Sequence, residues 1–168
     1  MRTVEAARLP VDPGVSGWNA ILPEPGPARE LAGHVTADWL VIGAGFAGLS
    51  AARRLQQLRP DDRVVVLEAH RVGEGPAGRN SGFMVDLPHD LDSDTYAGAA
   101  DEDLNQIRLN RDAIEFAREA ARAYGFDGTA FQWRGKHHFA ATERGVEHLT
   151  DYARHLDVLG EPYEWVDA

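Results

Sequence analysis

Gly43, Gly45 and Gly48 stand at G-x-G-x-x-G spacing, and an acid, Glu68, follows twenty residues after the third glycine. Those residue types at that spacing suit the holding of a dinucleotide. Gly43 permits a sharp turn, Gly45 lets the backbone approach a pyrophosphate, and Gly48 lets a helix pack closely on a strand. A helix opening at Phe46 and Ala47 adds unpaired N–H groups and about +0.5 of an elementary charge, so a diphosphate is favoured there without a basic side chain. Glu68 stands where such a motif places an acid that accepts hydrogen bonds from a ribose hydroxyl, and its charge repels a 2′-phosphate, which disfavours NADP. The glycines alone also fit a plain strand-to-helix connection. The acid at its distance favours the nucleotide site.

The elements that must position these residues are legible on either side of them. Trp39 to Ile42 is an apolar run of strand length, and Phe46, Leu49, Ala52, Leu55 and Leu58 recur at helical spacing. After the breaker Pro60-Asp61-Asp62, Arg63 to Leu67 is a β-branched run suited to a buried parallel strand, and it ends at Glu68. Residues 37–68 therefore read as a βαβ unit. The next stretch, Ala69 to Met84, is rich in glycine and reads as a shaped loop beside the nucleotide. Within it Arg79, Asn80 and Ser81 are donors able to reach a phosphate, a ribityl hydroxyl or a ring oxygen.

Three pieces in this order resemble the flavin-dependent oxidoreductases of the D-amino-acid-oxidase type, which include glycine, sarcosine and glutamyl-putrescine oxidases. They are Asp38 to Ala52, the stretch Val65-Val66-Leu67-Glu68-Ala69, and Gly75-Pro76-Ala77-Gly78-Arg79-Asn80-Ser81-Gly82. The third is similar to the family's Gly-Ala-Ser-Gly-Arg-Asn-Gly-Gly loop, which lies over the flavin and its phosphates. The resemblance implies FAD as cofactor, with contacts at Gly43, Gly45, Phe46, Ala47, Gly48, Glu68, Ala69, Arg79, Asn80, Ser81 and Gly82. Two departures stand out: Ala77 replaces a frequent cofactor-holding serine, and Ser81 replaces a glycine. The implied chemistry is oxidation of an amine or amino acid by hydride transfer to the flavin, with imine hydrolysis following. No catalytic residue is assigned, because the family's substrate-contacting residues lie mostly in parts that have no counterpart here.

The resemblance covers roughly residues 18–165, yet only the opening part of the family's fold. The expected fold class is α/β, a Rossmann-like FAD-binding βαβ unit followed by the beginning of an α+β substrate domain. The expected domains are an N-terminal arm (1–36), an FAD-binding segment (37–98) and the incomplete start of a substrate domain (99–168). A sheet of two strands would leave edges unpaired and one face poorly covered. The chain is thus expected to be a fragment, the product of a truncated gene, or one piece of a split enzyme completed by a second chain. Two further readings stay open: an NAD-dependent dehydrogenase fragment, and a catalytically silent module docked on a partner.

Length and composition bound the rest. A chain of 168 residues, 43% hydrophobic and 26% charged, is globular and long enough for one ordinary domain. The net charge of -10 argues against nucleic acid, and no apolar run approaches the roughly 20 residues that span a bilayer. There are no cysteines, which excludes disulfides, thiolate metal sites and cysteinyl flavin attachment. Met1 to Ala20 lacks a signal-peptide core, and a cytoplasmic protein is expected.

The Pro- and Gly-rich arm is read either as docked through Trp18, Ile21 and Leu22 or as a solvated tail. Beyond the loop, His89 is read as a surface histidine rather than a flavin or substrate contact. A helix is expected from Asp101, capped by that residue, with Leu104, Ile107, Ile114, Ala117, Ala121 and Tyr124 on one face and Gly125 after it. Phe131 to Thr142 reads as a strand and resembles the one that enters the family's substrate domain. A last helix is expected from about Arg144 to Leu159, with Val146, Leu149, Ala153 and Leu156 inward. No metal site is expected: His137 and His138, adjacent on an extended segment, point to opposite faces, and His148 and His155 have no third ligand.

Overall fold

A computed structural model describes residues 14–24, 26–87 and 99–166. The elements in chain order are α1 (Gly17–Ile21), β1 (Trp39–Ile42), α2 (Phe46–Leu58), β2 (Val64–Leu67), a single 3₁₀ turn (Pro76–Gly78), α3 (Ala100–Ala123) and α4 (Glu143–Leu159). Two units divide the chain, one ending at Phe83 and the other beginning at Met84. The stretch that carries His89 lies outside the described residues. No described helix is long and apolar enough to cross a membrane.

In the first unit β1 and β2 pair in parallel, Trp39 opposite Val64 and Ile42 opposite Leu67. Parallel neighbours need a crossover, and α2 supplies it. The sheet is tied at its start by Asp38, whose carboxylate accepts the Arg63 N–H at 2.8 Å, and by the Trp39 indole, which donates to Asp62 at 2.7 Å. At its end the Gly43 N–H donates to the Leu67 carbonyl at 2.7 Å, one step beyond β1. Val41 points at α2, since a Cβ built on Gly48 would lie 3.3 Å from its Cγ1. Alternation then puts Leu40 and Ile42 on the opposite face, where they are 56% and 82% exposed. The helix is also less covered than its periodicity suggests, with Phe46 67% exposed and Leu58 exposed as well. Two strands offer too little surface to bury a whole helix face.

In the second unit α3 begins at Ala100 and has Ala99 at its N-cap, with no side-chain cap. Asp101, expected to cap the helix, lies inside the first turn with Glu102 and Asp103, where carboxylates meet the positive end of the helix dipole. Ile107, Ile114 and Ala121 are buried, whereas Leu104 and Tyr124 are exposed. Helix α4 is capped as its sequence demands: the Thr142 hydroxyl accepts the Gly145 N–H at 3.1 Å, and Gly160 takes the left-handed conformation at φ 72°. Its buried residues are Tyr152, Ala153 and Leu156, while Val146 is exposed. His155 Nε2 sits 2.7 Å from Asp103 Oδ2 and joins α4 to α3. Arg111 grips Glu161 with two nitrogens, at 2.9 and 2.6 Å, and Asp86 with a third at 3.0 Å.

Phe131 to Thr142, expected as a strand, carries no strand assignment, and Gly135 within it takes the left-handed conformation at φ +71°. A strand is defined by its partner, and none of the described residues pairs with it. The His138 ring lies tilted against Tyr152, ring centres 5.4 Å apart, and His137 lies near Phe139 at 6.0 Å.

Candidate functional site

The turn between β1 and α2 separates its three glycines by role. Gly43 has φ +96°, a conformation that L side chains rarely adopt. A Cβ on Gly48 would lie 1.9 Å from the Gly43 carbonyl oxygen, so the helix can approach the turn only without one. Gly45 is different: its φ is -82°, and a Cβ there would meet only the Ala77 Cβ, at 3.8 Å. Backbone conformation explains Gly43 and close packing explains Gly48, whereas at Gly45 a Cβ would make only an ordinary contact and nothing in the protein's own packing requires a glycine.

The turn around Gly45 carries donors. Gly45 is the N-cap of α2 and has no side chain with which to satisfy the first turn. The first intrahelical bond runs from the Leu49 N–H to the Gly45 carbonyl at 3.0 Å. The N–H groups of Phe46, Ala47 and Gly48 therefore lie ahead of the ladder, aimed along the helix axis where its positive end is. Glu68, just past β2, reaches back to the same turn: its Oε2 accepts the Ala44 N–H at 2.6 Å and its Oε1 the His70 N–H at 3.2 Å. These bonds, that to Ala44 first, hold the carboxyl below the usual range for glutamate. A carboxylate has about four acceptor positions, so both oxygens retain capacity for a hydroxyl donor. Ala69 beside it is exposed.

The glycine-rich loop comes up to this turn through Ala77, in the 3₁₀ turn, whose Cβ adjoins Gly45. Asn80 braces the loop from within: its amide nitrogen donates to the Ala77 carbonyl and its amide oxygen accepts the Gly82 N–H at 2.7 Å. The Arg79 guanidinium is turned onto backbone, with Nε donating to the Glu74 carbonyl at 3.0 Å and Nη2 to the Gly14 carbonyl at 2.7 Å. Ser81 and Gly82 are exposed. The fold thus gathers the turn at Gly43 to Gly48, Glu68 and Ala77, and it sets Arg79 and Asn80 to shaping the loop.

One participant was only half legible. Trp18 closes on this loop, its indole N–H donating to the Asn80 carbonyl at 2.7 Å, and Asn19 donates to the Gly73 carbonyl at 3.3 Å. All three residues expected to dock the arm stay exposed, Ile21 and Leu22 more so than Trp18. Ser16, whose hydroxyl accepts the Asn19 N–H at 3.1 Å, is the buried polar anchor. The Ser16-Gly17-Trp18-Asn19 order, an N-cap ahead of a tryptophan, is the signal that marks it.

The donor set, a glycine at position 45 that the packing does not require and a carboxylate at the turn's edge fit a dinucleotide with a diphosphate. The family model of FAD dependent oxidoreductases matches residues 38–168. Among curated relatives, a probable oxidoreductase OrdL of Rhizobium meliloti is 38% identical over 73 residues, 44% of this chain and 17% of the relative. Gamma-glutamylputrescine oxidoreductase of Escherichia coli is 49% identical over 51 residues, 30% of this chain and 12% of the relative. A probable oxidoreductase OrdL of Haemophilus influenzae is 54% identical over 49 residues, 29% of this chain and 11% of the relative. The chain therefore matches less than a fifth of the length of each of these relatives. No solved structure matches it significantly. With the family model covering most of the sequence, turn, acid and loop included, the chain belongs to the FAD dependent oxidoreductase family, whose members bind FAD.

Proposed function

We propose that this chain is the FAD-binding portion of an oxidoreductase acting on an amine or amino acid. Residues 37–98 form the Rossmann-like cofactor segment in this reading, and residues 99–168 begin the substrate domain. The single observation that carries it is Gly45, a glycine that the protein's own packing does not require, set beside helix N–H groups and Glu68. The diphosphate is held by the N–H groups of Phe46, Ala47 and Gly48, and Gly45 admits it to the backbone. Glu68 accepts a ribose hydroxyl, with Ala69 alongside. The loop through Arg79, Asn80, Ser81 and Gly82 covers the cofactor and limits water. Bound FAD supplies the two-electron oxidation of the carbon that bears the amine. The amine-oxidising class is favoured by the likeness to the gamma-glutamylputrescine oxidoreductase of Escherichia coli.

The decisive experiment is an FAD titration of the wild-type chain and of Gly45→Ala, followed by flavin fluorescence and thermal unfolding. Gly45→Ala is expected to unfold like wild type, because its Cβ meets only a contact of 3.8 Å. FAD affinity is expected to fall at least about tenfold, since the methyl group occupies the approach to the diphosphate. A wild-type chain that ignores FAD, or a Gly45→Ala chain that binds it equally well, overturns the assignment.

A second reading keeps the FAD site but makes catalysis depend on further polypeptide, from a partner chain or a continuation. The exposed Leu40 and Ile42 on the uncovered sheet face favour it.

A further inference from the structure

We propose that the arm ahead of the sheet belongs to the cofactor site, with Trp18 as a positioning residue that holds the Gly73–Gly82 loop in the shape that receives FAD. The proposal rests on the FAD reading above.

The arm touches the loop at both ends and in the middle. At one end Asn19 Nδ2 donates to the Gly73 carbonyl at 3.3 Å. At the other, the Trp18 ring closes on Gly82, whose φ is +80° and where a Cβ would lie 3.0 Å from Cζ2 and 3.3 Å from Cη2. Between them the Trp18 indole N–H donates to the Asn80 carbonyl at 2.7 Å, across 62 residues of sequence. Arg79 Nη2 completes the set by donating to the Gly14 carbonyl at 2.7 Å.

These contacts lead inward to the turn. Asn80, gripped by Trp18 through its carbonyl, holds the Gly82 N–H and the Ala77 carbonyl with its own side chain. Ala77 is the loop residue whose Cβ adjoins Gly45. A path of hydrogen bonds thus runs from Trp18 through Asn80 to Ala77, whose Cβ stands 3.8 Å from where a Cβ on Gly45 would lie. General apolar burial does not hold the arm, because Val15 and Ile21 are 76% and 75% exposed. It is held by directional bonds to this one loop, and such bonds fix geometry more than they add core stability.

The test uses the full chain, Trp18→Ala and Trp18→Phe, with two readouts: FAD dissociation constant, and hydrogen exchange without FAD. Trp18→Ala is expected to weaken FAD binding about tenfold and to speed exchange across residues 73–82. Exchange at β1, α2 and β2 should stay as in wild type, which a general loss of stability would not allow. Trp18→Phe keeps a ring against Gly82 and lacks the indole N–H, so it should recover part of the affinity, to within about threefold of wild type. Wild-type FAD affinity in Trp18→Ala, or loop exchange that does not respond, overturns the proposal while leaving the FAD reading intact. A wild-type chain that binds no FAD overturns both.

Discussion

Glu68 has a single carboxylate with two tasks, bracing the turn through Ala44 and, in the proposed function, receiving a sugar hydroxyl. Its hydrogen bonds to the Ala44 and His70 N–H groups lower its folded-state pKa, so in the acid range the unfolded chain binds the proton more readily. The stabilisation is complete above the ordinary glutamate value of about 4.3, and it is lost as pH falls through the lowered folded-state value. Glu68→Gln keeps an acceptor for Ala44 but cannot titrate. Its thermal unfolding should therefore lack this part of the acid-side decline seen in wild type. The same variant should bind FAD about tenfold more weakly at neutral pH, because a charge-assisted acceptor becomes a neutral one. Unfolding curves across the acid range and an FAD titration check both effects. Glu68 was legible because its distance from the glycines is set by one crossover. The backbone contacts of Arg79 were not legible, since Gly14 lies far away in sequence.

At the scale of elements, the approach of α2 to the turn leaves no room for a side chain. A Cβ at Gly48 meets a backbone carbonyl at 1.9 Å, which cannot swing aside as a flexible side chain would. Alanine in a helix is favoured over glycine by roughly 1 kcal/mol, but overpacking of this kind costs about 1–3 kcal/mol. The clash should win, and Gly48→Ala should lower the unfolding midpoint and loosen α2 in hydrogen exchange. An unchanged midpoint would mean that the helix is free to move off the strand. The strand, turn and helix could be read in the sequence because each is specified within a few residues. The stretch Phe131 to Thr142, expected as a strand, is not one, because pairing depends on a distant partner rather than on its own apolar pattern. The start of α3 shows a smaller failure of the same reasoning: Asp101 has the residue type of a cap, but the helix begins ahead of it and uses its charge against the dipole instead.

For the whole molecule, the question is what the uncovered sheet face does. Leu40 and Ile42 project from β1 away from α2, and Ile42 is the more exposed. Apolar residues on an open sheet with an unpaired edge favour association between copies. Ile42→Thr removes apolar surface and keeps a β-branched residue, so the strand itself should be retained. Because the side chain is 82% exposed, its loss should change unfolding stability by no more than about 0.5 kcal/mol, while sedimentation velocity should show less self-association. In a longer or completed form that covers this face, the same threonine would be buried in place of an isoleucine. There the substitution should destabilise by about 1–3 kcal/mol through lost apolar burial and a buried hydroxyl. Measuring Ile42→Thr in both contexts therefore reports whether further polypeptide packs on β1. Equal and negligible effects in the two would mean that the face stays open, and that the cofactor turn works without a covered sheet behind it.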